Sequence, residues 1–153
     1  MSVDQRLADL GIEIPTPAVP VANYVPFVIS GNLVSISGQV PVKDGKVAFE
    51  GKVGADVSVE DACKAARLCA LNIIAQVKAA CGGDLNKVKR IVKLGGFVNC
   101  VDGFAGQPQV INAASDLMVD VFGDAGKHSR SAVGTNALPL NVPVEIDALV
   151  EIG

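Results

Sequence analysis

Between Ser58 and Gly83 the chain changes its period, and this constrains the fold more than any other stretch. Ala62, Ala66, Cys69, Ile73, Val77 and Ala80 recur at steps of three and four, the repeat of one helix face. Ser58 followed by Asp61 makes a start similar to a capping box, and Gly82 with Gly83 ends the run. The buried stripe is rich in alanine, which lets the helix lie close against a sheet.

Strand signals flank this helix. "YVPFVISGNLVSISGQVPV", residues 24–42, holds two apolar runs around Ser30, Gly31 and Asn32, a hairpin pattern. Pro26 weakens the first run or sends it to a sheet edge, because proline cannot donate to a ladder. "KDGKVAFEGKVG", residues 43–54, continues with a turn and a short strand. "KVKRIVKLGGFVNCV", residues 87–101, reads as a strand with a bulge or crossing point at Gly95 and Gly96. Its Lys87, Lys89 and Lys93 fall on one face and Arg90 on the other, which suits a solvated face better than a phosphate site. A second helix opens near Pro108 and runs through Val110, Ala113, Leu117 and Val121 to Gly123.

Two strands over 130–136 and 142–152 close the chain. In the last, Val144, Ile146, Ala148, Val150 and Ile152 share one face, while Glu145, Asp147, Leu149 and Glu151 share the other. The order of elements predicts an α+β fold: one mixed β-sheet with two helices packed on one face. Its length of 153 residues suits a single domain over 1–153. Residues 1–22, with Pro15, Pro17 and Pro20, read as an extended N-terminal arm.

The second sheet face needs a cover. Half the residues are apolar and the mean hydropathy is +0.42, high for a small monomer, so some apolar surface is expected to meet another subunit. A net charge of −3 supplies no positive field for nucleic acid or an anionic membrane. The N-terminal residues lack the apolar core of a secretory leader, and no apolar run reaches the ~20 residues of a membrane span. Cys63, Cys69, Cys81 and Cys100 form no C-x-x-C pair, and with one histidine in the chain they suggest neither a metal site nor a disulfide framework. Three of them, in or beside the predicted helix, read as small buried hydrophobes, reduced in a cytoplasmic compartment.

Candidate chemistry is sparse. Arg130 starts a strand among small residues, and a shielded guanidinium must find an acceptor because it does not deprotonate. Glu145, on a strand expected to pair with it, is one partner, leaving other donors of the fork for a ligand carboxylate. A plain Arg130–Glu145 salt bridge without ligand, or an Arg130 pair across a subunit boundary, satisfies the same residues. His128 is the single histidine and reads as a solvated loop residue, and Tyr24, the single tyrosine, as a packing residue. No phosphate-binding glycine loop and no G-x-S-x-G elbow occurs.

"RSAVGTNALPLNVPVEIDA", residues 130–148, resembles the closing signature of the RidA/YjgF family of enamine/imine deaminases: Arg130, Leu138, Pro139 and Glu145 keep its spacing. Residues 23–42 resemble its Tyr, Gly-Asn and Ser-Gly-Gln pattern. The resemblance implies a chorismate-mutase-like fold assembled as a homotrimer, the sheets forming a barrel with ligand clefts between neighbours. It implies Arg130 as the grip on a substrate carboxylate, Glu145 as the acid beside the reacting water, and Tyr24, Ser37, Gly38, Asn112 and Ala132 as cleft residues. Ala132 stands where many deaminases carry cysteine, and Ala137 where a basic residue is frequent.

The expected activity is hydrolysis of 2-imino acids and their enamine tautomers to 2-keto acids and ammonia, with no metal or organic cofactor. The alternatives are a non-catalytic trimer that binds small carboxylates, and the endoribonuclease or translation-inhibitor activity that the family's labels carry. The acidic charge and single histidine weigh against RNA cleavage.

Overall fold

The computed structural model describes residues 1–20 and 22–153. Its N-terminal part corrects the extended arm expected over residues 1–22: Val3–Leu10 is a helix, α1. Ser2 Oγ accepts from the Gln5 amide at 3.1 Å and Gln5 Oε1 accepts from the Ser2 amide at 2.9 Å, a reciprocal capping box. Gly11, at φ 66°, closes the helix in the left-handed region. Leu7 enters the core, and the Val3 amide donates to Asn86 Oδ1 at 3.0 Å. Residues 12–20 run without regular structure. Ser2→Ala is expected to cost about 1 kcal/mol of local helix stability. Amide exchange should therefore quicken within residues 3–10, with little change in the global Tm because only Leu7 of this helix is buried.

Strands β1 (Phe27–Ser30) and β2 (Leu33–Gln39) form the expected hairpin, turning at Gly31 and Asn32. β1 lies at the sheet edge, as Pro26 requires. β3 (Val42–Lys43) and β4 (Lys46–Val47) make a small separate hairpin. α2 (Val59–Ala80) starts where Ser58 Oγ accepts from the Asp61 amide at 3.1 Å, with Glu60 and Asp61 in the first turn. β5 (Val88–Asn99), α3 (Gln107–Phe122), β6 (Ser129–Thr135) and β7 (Val144–Ile152) complete the chain. The main sheet runs β1-β2-β7-β5-β6, with β5 and β6 parallel and the other neighbours antiparallel.

α2 and α3 pack on the face made by Val34, Ile36, Leu94, Val98, Val144 and Ile146, all buried. The glycines of β5 are not a bulge. Register slips occur between Val88 and Arg90 and between Ile91 and Lys93, whereas Gly95 and Gly96 stay paired with Asp147 and Ile146. Their lack of a side chain serves close approach instead. A Cβ on Gly96 would stand 2.7 Å from Ile111 of α3, and one on Gly95 would collide with the Asp147 carboxylate. Lys87 lies outside the strand, in a 3-10 turn over Leu85–Lys87. Arg90 donates to the carbonyls of Asp124 at 2.8 Å and Lys127 at 3.0 Å, so it fastens the turn after α3.

The alternation read in the last strand holds: Val144, Ile146, Ala148 and Val150 are buried while Glu145, Asp147 and Leu149 face the other way. On that second face Ser35, Phe97, Ser131, Val133, Asp147 and Leu149 line an open trough of about 570 Å³. No helix among the described residues is long and apolar enough to cross a membrane, and all four cysteines are free thiols.

Candidate functional site

The expected site residues fall into two groups, whose charged members Glu145 and Arg130 leave the sheet on opposite faces. The first surrounds a slip in β2. Pairing with β7 loses register between Ile36 and Gln39, which leaves Ser37 and Gly38 in a bulge that re-aims the strand. Ser37 Oγ donates to the Val25 carbonyl at 2.7 Å and its amide donates to the Pro26 carbonyl at 2.9 Å. These bonds tie the segment beside Tyr24 to the bulge. Tyr24, Ser37 and Gly38 line a cavity of about 190 Å³ together with Ala18, Pro20 and Asn72. Gln76, 1% exposed on α2, donates to the Ala18 carbonyl at 2.9 Å and holds that wall in place.

Glu145 passes directly over the bulge, since a Cβ at Gly38 would stand 2.5 Å from its Oε2. Any side chain at 38 would displace it. Burial pushes the Glu145 carboxyl above its ordinary value, and the neighbouring Asp147 carboxylate adds to the rise. Asp147 is raised by burial too, with the Gly95 amide and Lys93 acting in the opposite direction.

The second group lies on the helix side. Arg130 Nη1 donates to Ser115 Oγ at 3.1 Å, and Nη2 donates to the Pro108 carbonyl at 3.4 Å. Pro108, Asn112 and Ser115 are spaced to share one stripe of α3, so Asn112 sits on the helix surface that Arg130 spans. Ala132 follows on the same face of β6, half-buried like Arg130. His128 is no solvated loop residue: its Nε2 lies 2.8 Å from Ser115 Oγ and its Nδ1 lies 2.6 Å from the Gly126 carbonyl oxygen. Ser115 escaped the sequence reading because a single serine inside an amphipathic helix carries no signal of its own. Its spacing from Asn112 and Pro108 was the available clue.

Arg130 and Glu145 do not pair within the chain. β5 lies between their strands, Arg130 opposite Leu94 and Glu145 opposite Phe97, and their side chains leave the sheet on opposite sides. The ion pairs among the described residues join Lys64 to Glu60 and Asp61, and Lys127 to Asp124. The cause is topological: β6 returns parallel to β5 after α3, so it cannot also neighbour β7. Among the described residues Arg130 thus meets only neutral acceptors, and Glu145 meets no cation.

Comparison with known proteins bears on the fold and the family. The chain is 46% identical to Protein TCP17 of Trypanosoma cruzi over 98% of its own length and 94% of that protein's. It matches the crystal structure of the protein Atu1372 of Agrobacterium tumefaciens at 54% identity and a TM-score of 0.92, covering 99% of this chain and 92% of that one. Escherichia coli TdcF, solved with bound serine, is more distant, at 26% identity and a TM-score of 0.64 over 92% and 96% of the two chains. The family model described as YjgF/chorismate mutase-like, a description that also attaches an endoribonuclease label without asserting the activity, matches residues 4–152. On the fold and this match over nearly its whole length, the chain belongs to the YjgF/chorismate mutase-like family.

Proposed function

We propose that the protein hydrolyses 2-imino acids to 2-keto acids and ammonia in clefts between the copies of a homotrimer. One observation carries the reading: each chain presents a guanidinium bonded only to neutral acceptors on one sheet face and a half-buried carboxylate lacking a cation on the other. Two such groups facing apart complement each other only when a neighbouring copy brings its Arg130 to this copy's Glu145. The trough on the second face, with Phe97, Val133 and Leu149 in its lining, is the surface such an assembly would cover.

In this reading the Arg130 fork grips the substrate carboxylate and Asn112 and Tyr24 border it. Glu145 accepts a proton from water as the oxygen attacks the imine carbon, and the imine nitrogen takes up a proton. Collapse of the resulting tetrahedral adduct expels ammonia and leaves the keto acid. Ala132 has no thiol, so at that position only backbone atoms remain to hydrogen-bond the ligand. Orientation and one proton acceptor suffice for such an electrophile, with no covalent intermediate.

A carboxylate-binding trimer without turnover is the second reading, favoured by Ala132 and by the serine held in TdcF. RNA cleavage has less support, because the acidic chain offers one histidine and both its ring nitrogens are engaged.

The sign of the pH dependence follows from Glu145. Within its own chain burial and Asp147 raise its carboxyl, and a neighbouring copy's Arg130 acts in the opposite direction, so its base form is complete only above the value that the cleft sets. Ammonia release from 2-iminobutanoate generated in situ should fall as pH drops through it. Glu145→Gln should lose this limb and run about 10²–10⁴-fold slower. Wild-type protein that releases no ammonia above the spontaneous rate, yet is stabilised by 2-oxobutanoate, would leave the binder.

A further inference from the structure

We propose that Ser115 and His128 are positioning residues that set the guanidinium of Arg130, an inference resting on the reading of Arg130 as the carboxylate grip. The argument begins at Gly126. Its carbonyl oxygen only accepts, so the His128 Nδ1 that lies 2.6 Å away carries a proton. In the neutral ring that tautomer leaves Nε2 as a bare acceptor, and among the described residues the polar atom bonded to it is Ser115 Oγ at 2.8 Å. The serine hydroxyl therefore donates to His128. Its lone pairs then face Arg130 Nη1, which donates at 3.1 Å.

The result is one head-to-tail chain: Arg130 to Ser115, Ser115 to His128, His128 to the Gly126 backbone. Each donor polarises the next, so the hydroxyl oxygen beside Arg130 is a stronger acceptor than an isolated serine. A serine in mid-helix ordinarily bonds back to its own turn. Here the hydroxyl is drawn across to β6 by a histidine two residues before the arginine it orients. The ring nitrogens are consumed by this chain, which makes His128 a support and not a group that touches substrate.

The arrangement also fixes which donors stay available. Arg130 spends one Nη1 and one Nη2 hydrogen on α3, so among the described residues Nε–H and one hydrogen on each Nη remain for a carboxylate. A fork anchored this way is presented in one orientation, where an unsupported arginine would sample many.

The test uses the full-length protein and four forms of it: wild type, Ser115→Ala, His128→Leu and His128→Gln. ¹⁵N NMR of the histidine ring should show the Nδ1–H tautomer in the wild type. The side-chain signals of Arg130 should report a restricted guanidinium in the wild type and in His128→Gln, whose amide oxygen can accept from Ser115. They should report a mobile one in Ser115→Ala and His128→Leu. Affinity for 2-oxobutanoate, measured by calorimetry, should fall about tenfold or more in those two and recover to within about threefold in His128→Gln. A bare Nδ1, or a His128→Leu protein with wild-type Arg130 signals and affinity, overturns the inference. Wild-type protein that binds no 2-oxobutanoate while keeping the tautomer and the rigid guanidinium sinks the reading of Arg130 as a grip and spares the hydrogen-bond chain.

Discussion

Arg130→Ala is expected to release ammonia from 2-iminobutanoate at about one thousandth of the wild-type rate or less, the loss that follows removal of a preorganised donor to a charged reactant. Arg130→Lys should not rescue it, because an ammonium is a point charge and cannot present two parallel donors to a carboxylate. The fold should survive both changes. Within its own chain Arg130 is half-exposed and its partners are a hydroxyl and a carbonyl, so its removal strands no charge inside the protomer. The Tm should shift by less than about 2 °C, as for a substitution outside the packed core. Steady-state ammonia release and a melting curve on the same preparations check both halves. Full activity in Arg130→Ala would remove the grip from the mechanism, and a collapsed melting curve would make Arg130 a structural residue.

Gly126→Ala carries the largest expected effect on stability. Gly126 is buried in the 3-10 turn after α3, and a Cβ there would collide with the Met118 carbonyl and stand 2.9 Å from the Val119 Cα. Both obstacles are backbone of α3. Neither can rotate aside, so the end of the helix and the turn leading into β6 must separate. A cost of about 3 kcal/mol follows, which corresponds to a fall in Tm of about 6–12 °C in a chain of this size. The same glycine's carbonyl accepts from His128, so activity should fall well below the new melting point as well. Gly82→Ala supplies the contrast. Gly82 sits at φ 65° with nothing within 4 Å of an added Cβ, so the cost there is conformational alone, about 1 kcal/mol. Equal losses at the two positions would refute the steric account.

Much of the fold was legible because it is local. The steps of three and four from Ala62 to Ala80, the Ser58 cap and the alternation from Val144 to Ile152 each express a period that neighbouring residues share. What was not legible is non-local. The sequence places Arg130 and Glu145 on the last two strands, but nothing in either strand says that β5 inserts between them. Once it does, residues expected to touch end on opposite sides of the sheet. For Gly95 and Gly96 the sequence leaves a bulge and a crossing point open, since a glycine pair signals both equally, and only the positions of Ile111 and Asp147 decide for close contact. The first helix was hidden by its own sequel: Ser2 and Gln5 form a capping box, but the prolines from Pro15 onward dominate the segment. The grouping of Tyr24 with Ser37 and Gly38 was reached by resemblance, and its physical cause is the slip in β2.

The leading segment is moored at its helix, by Leu7 in the core and the Val3 amide on Asn86, and again by the bond from Gln76 to the Ala18 carbonyl. A purification tag joined ahead of Met1 therefore leaves the pocket beside Tyr24 untouched. Trimming the gene to begin after Pro17 deletes the first mooring and lets the Ala18–Pro20 wall fray, so a shortened version made for convenience would report on a differently shaped pocket.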